Sequence, residues 1–375
     1  MKLTSEQIQI LLVEKLAGTI DEEDNVYIEQ LIVEDEQVRK LWLELQQQLQ
    51  QMGGLSKEVN EDESWLKVRS LLPGSKTGRV RAMKLTAAAA AIAVVLVTGF
   101  LLLYGKSNDT MAKTEPLPVK PAITLLLENG RSFALQKAQT LQIGQVKIPA
   151  NEKQMVIPLG TTAATEWSTL NVPAAFDYKI TLSDGSEVWL NAQSRLRFPL
   201  SFQGPKREVY IQGEAYFKVS KDKAHPFIVH TSQTEIQVLG TQFNVNTYKD
   251  CKVETALVEG SVITRDAQGS EVSIKPGVEA VYSTKHGFFT KPFDSTEVLA
   301  WMNGVYYFHN TTLKNLSRVL ARWYNVEVNC NNNKLLHKTF SGKLIKGQQI
   351  QAFLDNLNLA LDMKAVENDG RVVFQ

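Results

Sequence analysis

The stretch that decides the fold of the larger part of this chain is Ile180–Leu190, with the sequence ITLSDGSEVWL. Apolar and polar residues alternate on both sides of Asp184-Gly185, with the period of two that places the apolar ones on one face of a strand. Asp-Gly favours two-residue hairpin turns, because glycine adopts a positive φ without steric cost. The stretch therefore predicts a β-hairpin with one buried face.

The same pattern occurs earlier, at Ile123–Leu135 (ITLLLENGRSFAL), around an Asn-Gly turn. Further short runs of strand character follow, separated by glycine and proline turns. They are Glu208–Ile211, Ala215–Val219, Phe227–Thr231, Glu235–Leu239, Phe243–Tyr248, Lys252–Val258, Ser261–Arg265 and Val278–Ser283. We predict an all-β domain over residues 122–290, built from stacked and similar hairpins.

The pattern changes again in residues 296–375, where helical and strand periods alternate. Apolar residues at helical spacing predict helices Leu313–Tyr324 and Ile350–Leu361. Strands are predicted at Val305–Phe308, Val326–Val328, Thr339–Lys343, Met363–Glu367 and Arg371–Phe374. This order predicts a small α+β domain whose last strand has an open edge.

Residues Leu85–Tyr104 read LTAAAAAIAVVLVTGFLLLY and contain no charged residue. A helix of 20 residues is about 30 Å long, which matches the hydrocarbon core of a bilayer. A buried core helix normally has a polar stripe, and a signal peptide lies nearer the N-terminus. We therefore predict one transmembrane helix at 85–104, followed by a polar, proline-containing linker at 105–121.

The charges on either side of this segment predict its orientation. Residues 76–84 contain Lys76, Arg79, Arg81 and Lys84 and no acid, whereas the following flank is mixed. By the positive-inside rule, the N-terminus is cytoplasmic and the C-terminus lies outside. Residues 1–75 contain 7 Lys/Arg and 15 Asp/Glu, a net charge of −8, which argues against direct binding to nucleic acid.

Residues 1–75 show four apolar stripes at helical spacing, which predict an all-α bundle with a thin core. The stripe of the third helix contains Leu41, Trp42, Leu45 and Leu49. A bundle this small can leave part of its apolar surface for a partner helix. The stripe is either core or a contact surface.

No residue pattern in the chain predicts catalysis, a cofactor or a metal site. Glu214 and Glu259 each lie beside a glycine, which is typical of surface turns, although a pair of glycosidase carboxylates needs no motif. The two cysteines, Cys251 and Cys330, have no metal or redox spacing. They either pair across two domains or remain unpaired and mostly buried.

Several strings together resemble FecR-type anti-sigma factors. Those similar to the family's β domain are Leu182–Asn191, Gly213–Val219, His225–Thr231, Val238–Val245 and Val258–Val262. Residues 304–374 are similar to the C-terminal domain that follows it in gram-negative bacteria with many TonB-dependent transporters. Residues 3–72, with Leu16–Glu23 (LAGTIDEE), resemble the sigma-binding end.

The resemblance implies a relay across three compartments. A TonB-dependent transporter of the outer membrane contacts the C-terminal domain through its periplasmic extension. Intramembrane and periplasmic proteases then free the N-terminal bundle, which controls a sigma factor of the extracytoplasmic-function class. The protein is then an inner-membrane, single-pass anti-sigma factor and not an enzyme.

The residues predict where these partners bind. The stripe of Leu41, Trp42, Leu45 and Leu49 is the candidate sigma-binding surface. Two strands of the C-terminal domain are candidates for pairing with the transporter extension, because strand addition uses a free edge. Their residues are Val305, Tyr307, Val372 and Phe374.

Two alternatives remain open from the sequence. The chain is alternatively a membrane-anchored periplasmic glycan-binding protein or envelope enzyme, although neither needs a folded acidic bundle inside the cell. Some members of the resembled family also cleave themselves at a Gly-Thr bond, which here is Gly240-Thr241. Attack of the Thr241 hydroxyl on the Gly240 carbonyl forms an ester that water opens, or the two residues simply form a turn.

Overall fold

A computed structural model describes residues 3–20, 22–51, 121–161, 166–249, 251–330, 332–361 and 363–375. The chain forms two compact units, one within Ser5–Lys120 and a larger one within Pro121–Gln375. Residues 52–120 lie outside the described part, and with them the predicted fourth helix, the predicted membrane span and nearly all of the predicted linker.

The smaller unit is helical over its described residues. Helices α1 (Ser5–Ala17), α2 (Glu22–Glu34) and α3 (Glu36–Gln51) bury Leu12 and Ile28 completely. The Asp35 carboxylate accepts hydrogen bonds from the backbone N–H of Gln37 and Val38, at 2.8 and 3.3 Å, and thereby caps the N-terminus of α3.

The fold class predicted from the sequence is wrong in its helical and membrane parts. The described residues of the helical unit form three short helices, of 13, 13 and 16 residues, and the predicted fourth helix falls outside them. Among the residues that the structure describes, no helix is long and apolar enough to cross a membrane. The longest described helix has 16 residues, whereas a helix that spans a membrane needs about 20 consecutive apolar residues. The remainder of the described chain is mostly β structure, and the predicted domain boundaries stay predictions.

The larger unit begins with a two-layer β structure. Its strands are β1 (Thr124–Leu127), β2 (Ser132–Ala134), β3 (Gln139–Ile143), β4 (Val146–Ala150), β5 (Gln154–Val156), β6 (Trp167–Val172), β7 (Tyr178–Thr181), β8 (Glu187–Leu190), β9 (Ser194–Pro199), β10 (Arg207–Gln212), β11 (Glu214–Lys218), β12 (Phe227–His230), β13 (Thr234–Val238), β14 (Gln242–Asn246), β15 (Lys252–Glu259), β16 (Val262–Asp266), β17 (Glu271–Ile274), β18 (Val278–Ser283) and β19 (Gly287–Pro292).

These strands form two sheets that share one apolar core. The nine-stranded sheet has the order β17-β16-β13-β12-β10-β9-β6-β1-β2, and the ten-stranded sheet has the order β19-β18-β15-β14-β11-β8-β7-β5-β4-β3. Most neighbouring strands are antiparallel, but β10 and β12 are parallel, as are β5 and β7.

The hairpins that the sequence predicts are present in both sheets. Strands β7 and β8 pair around Asp184-Gly185, where Gly185 has a φ of +82° and its N–H donates to the Leu182 carbonyl at 2.9 Å. Strands β1 and β2 pair around Asn129-Gly130 in the same way. The inward residues of alternate positions, such as Ile180 and Val188, are fully buried.

The rest of the larger unit alternates helices and strands. It contains α4 (Ser295–Val298), a short 3-10 helix (Ala300–Asn303), β20 (Val305–Thr312), α5 (Leu313–Tyr324), β21 (Glu327–Cys330), α6 (Asn333–Leu336), β22 (Thr339–Ile345), α7 (Ile350–Leu361), β23 (Ala365–Asn368) and β24 (Arg371–Phe374). Strand β20 pairs with β22, and a second sheet has the order β21-β24-β23.

This C-terminal part packs on the outer face of the ten-stranded sheet. Its apolar cluster includes Ala192, Tyr216 and half-buried Trp189 from the sheet side, together with Trp301 and residues of α5. The Trp301 indole N–H donates to the side-chain oxygen of Asn244 on β14 at 3.4 Å. The larger unit therefore has a second core where its two parts meet.

The cysteines do not pair in the structure. Both are free, with Cys251 exposed and Cys330 half-buried. The expectation of mostly buried thiols is wrong for Cys251, because it lies in a turn with a φ of +62° between β14 and β15.

Candidate functional site

The predicted sigma-binding stripe lies along α3. Leu41, Trp42 and Leu49 are half-buried, whereas Leu45 is 8% exposed and belongs to the core of the helical unit. The neighbouring side chain of Leu43 is 57% exposed. The stripe is thus part core and part surface, and the accessible apolar area is centred on Leu41, Trp42 and Leu43.

Lys15 from α1 lies against this surface. Its ammonium is 5.9 Å from the centroid of the Trp42 ring and donates to Asn25 at 2.5 Å and to Glu29 at 2.7 Å. These contacts hold Trp42 at the junction of α1, α2 and α3. The Lys15 ammonium therefore lies beside the half-buried indole, at one side of the accessible apolar surface.

The predicted transporter-contacting residues fall in two different environments. Val372 and Phe374 are fully buried, and β24 is the central strand of its sheet, parallel to β21 and antiparallel to β23. Strand β24 is paired on both sides, so the predicted open edge is wrong, whereas a transporter contact at Val372 and Phe374 stays a prediction. The cause is a pairing with β21, some 40 residues earlier, that the local sequence does not reveal.

Strand β20 differs, because within the described residues it pairs only with β22. The Lys346 N–H donates to the Gly304 carbonyl at 2.7 Å, just before the ladder in which Val305 faces Ile345. Bonded and non-bonded pairs alternate along antiparallel ladders. The backbone groups of Val305 and Tyr307 therefore point away from β22, toward the open edge, and the Tyr307 side chain is 37% exposed.

Gly240 and Thr241 lie between β13 and β14. Gly240 has a φ of +146°, and a Cβ there would lie 2.7 Å from the Cα of Lys221, so the position requires glycine. Thr241 is 3% exposed, and its hydroxyl donates to the Ser261 carbonyl at 3.0 Å. Within the described residues, the hydroxyl thus has a hydrogen-bond acceptor but no hydrogen bond to a side-chain base.

A buried carboxylate that the sequence analysis assigned to a surface turn lies under the C-terminal part. Glu214 is 7% exposed, and three amides donate to it: Asn191 at 2.7 Å, Asn244 at 3.0 Å and Asn246 at 3.2 Å. Burial raises the pKa of Glu214, against the opposing effect of the amide hydrogen bonds and of the Arg322 charge. Glu259, by contrast, is exposed as expected.

Two further acids share the outer face of the ten-stranded sheet with Glu214. Glu254 pairs with Lys252 at 2.7 Å, and Glu279 pairs with Lys291 at 3.1 Å. Burial favours a higher pKa for Glu254, but the charges of Lys252, Lys249 and Lys291 together outweigh it and lower the pKa. Burial and the charge of Glu254 together raise the pKa of Glu279.

These acids line a groove of about 530 Å³ between the sheet and the C-terminal part. We name this the interdomain groove. Its other lining residues include Trp301, Tyr306 and two arginines of α5, Arg318 and Arg322. Sequence reasoning missed the groove, because its residues come from many separated segments whose individual patterns resemble ordinary strands and helices.

Comparison with known proteins agrees with this architecture. Residues 168–263 match the family model described as FecR protein, and residues 305–374 match the model described as FecR, C-terminal. Both matched segments lie in the larger unit, on either side of the interdomain groove.

The fold is also similar to two crystal structures of a candidate anti-sigma factor from Parabacteroides distasonis ATCC 8503, at 1.65 and 2.50 Å resolution. Each is 28% identical with a TM-score of 0.51, and the similarity covers 55% or 56% of this chain and 98% of the other. Among curated proteins, none is significantly similar to this chain.

Residues 168–263 and 305–374 therefore match the FecR family, and the resemblance stated from the sequence is confirmed. The matches support a role as an anti-sigma factor, a family that is generally not enzymatic and whose members in general have a sigma factor as partner.

Proposed function

We propose that this anti-sigma factor relays a signal from the periplasmic extension of a TonB-dependent transporter to a sigma factor of the extracytoplasmic-function class. The observation that carries the proposal is the presence of two separate contact surfaces, one in each unit. The first is the half-exposed apolar surface of α3, and the second is the open edge of β20.

The α3 surface is proposed to bind the sigma factor. Leu41, Trp42 and Leu43 expose apolar area on a helix, which is the arrangement that helix-in-groove recognition uses. Leu45 and Leu49 are proposed to support this surface from the core side. Because Leu45 is buried, its replacement by aspartate would unfold the unit and give no information on binding.

The sigma contact is tested in the full chain with Trp42→Ala and Leu43→Glu. Val33→Glu is the matched control, because Val33 is 70% exposed on α2, away from this surface. We expect the two α3 variants to lose repression of a sigma-dependent reporter at unchanged helicity, and the control to retain it. Full repression by both α3 variants would place the contact elsewhere.

The β20 edge is proposed to receive the transporter extension. Proline at Tyr307 removes a backbone N–H that points to the open edge, whereas Tyr307→Ala removes only the side chain. We expect Tyr307→Pro to abolish ligand-induced signalling and Tyr307→Ala to retain most of it. Normal induction in a folded Tyr307→Pro protein would exclude strand addition at this edge.

The cellular part of the proposal follows from the two partners, which lie in different compartments. We propose that the chain acts at the inner membrane, with its N-terminus in the cytoplasm and its C-terminus in the periplasm. Periplasmic and intramembrane proteases are the proposed agents that free the helical unit. Protease digestion of spheroplasts, followed by immunoblotting of both ends, tests the orientation and the fragments.

Self-cleavage at Gly240-Thr241 stays a prediction. Thr241→Ala removes the hydroxyl while Gly240 keeps its backbone conformation, so it is the informative variant. If cleavage occurs, purified wild-type protein separates into two fragments on denaturation, and Thr241→Ser retains them. A single intact band from the denatured wild-type protein would exclude self-cleavage at Gly240-Thr241.

A further inference from the structure

The interdomain groove contains two arginines that make no ion pair within the described residues. Arg318 and Arg322 are four residues apart on α5, so they lie on one face of the helix, and both line the groove. Arg322 is only 8% exposed. Its guanidinium carbon lies 3.7 Å from the centroid of the Tyr248 ring, which fixes its position by a cation–π contact.

Neither arginine makes a close ion pair with an acidic side chain within the described residues, although the charge of Arg322 acts on Glu214. The Nε atom of Arg322 is buried without a hydrogen-bond partner, and no ion pair or hydrogen bond joins its guanidinium to the described part of the chain. Arg318 makes one long contact of 3.5 Å, with the side-chain oxygen of Asn315. Burying an arginine without an acceptor is costly, so Arg322 favours an anion.

The acids of the groove have other partners. Glu254 and Glu279 pair with lysines, and the three amides described above saturate most of the acceptor positions of Glu214. Glu297 accepts from the His309 ring at 2.9 Å in one tautomer. Among the described residues, the two arginines therefore line the groove without an ion pair of their own, and Glu214 is the acid on which the Arg322 charge acts.

The geometry fits a planar oxyanion. A guanidinium binds a carboxylate through two parallel N–H···O bonds, which makes arginine the usual residue for this recognition. Trp301, Tyr306 and Tyr248 add aromatic surface to the groove, which suits an apolar or aromatic body attached to the carboxylate. A volume of about 530 Å³ is within the range of small-molecule pockets.

We propose that the interdomain groove is a binding site for a small organic carboxylate, which Arg322 binds directly and Arg318 supports at the groove mouth. The ligand would contact both the ten-stranded sheet and α5. Binding would then stabilise the packing of the C-terminal part on the sheet, since a ligand that binds only the closed arrangement favours it. Val305 and Tyr307 of the β20 edge also line this groove, but binding of the carboxylate does not depend on the proposed relay.

The test is calorimetric titration of the full-length protein with benzoate, succinate and citrate, with benzamide as the uncharged analogue of benzoate. We expect at least one of the three carboxylates to bind. If benzoate binds, benzamide should bind at least tenfold more weakly than benzoate. Arg322→Gln should weaken binding at least tenfold. Arg197→Gln is the matched control, because Arg197 stacks on Trp167 at 4.3 Å, away from the groove, and it should bind as the wild type does.

Arg318→Gln provides a second variant at an exposed position, where folding is not at risk. It should weaken binding several-fold even if Arg322→Gln fails to fold. Absence of binding by all three carboxylates would overturn the proposal. Equal binding of benzoate and benzamide, or wild-type affinity in a folded Arg322→Gln protein or in Arg318→Gln, would overturn it as well.

Discussion

Replacing Trp301 by alanine should separate the stability of the C-terminal part from that of the β sandwich. Trp301 is 7% exposed and packs in the second core, between the ten-stranded sheet and α5. Burial of about 200 Å² of aromatic surface contributes roughly 5 kcal/mol as an upper bound, and Trp→Ala substitutions typically cost ~3–5 kcal/mol. For a unit of this size, that loss corresponds to a fall in Tm of roughly 8–15 °C.

The hydrogen bond of Trp301 contributes much less than its packing. The distance of 3.4 Å to Asn244 is long, so we expect this hydrogen bond to contribute no more than about 0.5–1 kcal/mol to stability. Trp301→Phe keeps most of the apolar contact and loses this bond. It should therefore cost about 1–2 kcal/mol, well below the alanine variant.

The assay is hydrogen exchange of the full-length protein, read separately for β20, α5 and the sandwich strands. Trp301→Ala should accelerate exchange in β20 and α5 and leave the core strands of the sandwich protected. Trp167→Ala is the matched control, because Trp167 is half-buried on β6 of the opposite sheet. Unchanged exchange in α5 of Trp301→Ala would refute the role assigned to the second core.

Three further predictions concern single positions. Gly240→Ala should lower the free energy of unfolding in urea by at least ~3 kcal/mol, because the added Cβ clashes with Lys221. Gly269→Ala, at a φ of +85° with open space around it, should lower it by about 1 kcal/mol, and equal losses in the two variants would contradict this. Arg207→Met should cost ~3–5 kcal/mol, since it removes the ion-pair partner of Asp184, at 2.7 Å, and the hydrogen bonds to three backbone carbonyls; a loss below 1 kcal/mol would disprove it. Because burial raises the pKa of Glu214, its contribution to stability is greatest in acid and falls as pH rises from about 4.5 through the folded-state pKa. Glu214→Gln should remove this pH dependence from the midpoint of urea unfolding. An unchanged pH dependence in the variant would assign it to another group.

Individual hairpins and helices could be predicted from the sequence because each depends on residues that are close together in the chain. The hairpin at Asp184-Gly185 needs only alternation and a glycine with positive φ, and both lie within eleven residues. Helix α5 needs only its apolar spacing and a cap, which the Thr312 hydroxyl provides by accepting from the Asn315 N–H.

The errors concern pairings between distant segments. The central position of β24 depends on its parallel pairing with β21, and neither strand carries a signal for the other. Glu214 beside Gly213 has the local pattern of a turn residue. Its burial results from amides on the loop after β8 and on β14, and from the C-terminal part that covers them, none of which is adjacent in sequence.

The interdomain groove could not be predicted for the same reason. Arg322 has the spacing of an ordinary helix surface residue next to buried Trp323. Its burial follows from the packing of α5 against Tyr248 and the sheet, which only the tertiary structure determines. In this chain, sequence patterns predicted many of the helices and strands and the family, whereas the charged network between the two parts of the larger unit is visible only in the tertiary structure.

The most direct test of the central claim is transcription in vitro with purified full-length chain and the candidate extracytoplasmic-function sigma factor. The account predicts that the wild-type chain copurifies with the sigma factor and represses transcription from its promoter, and that Trp42→Ala loses both properties while Val33→Glu keeps both. Undiminished transcription in the presence of excess wild-type chain, with no copurification, would contradict the assignment of this chain as an anti-sigma factor for that sigma factor.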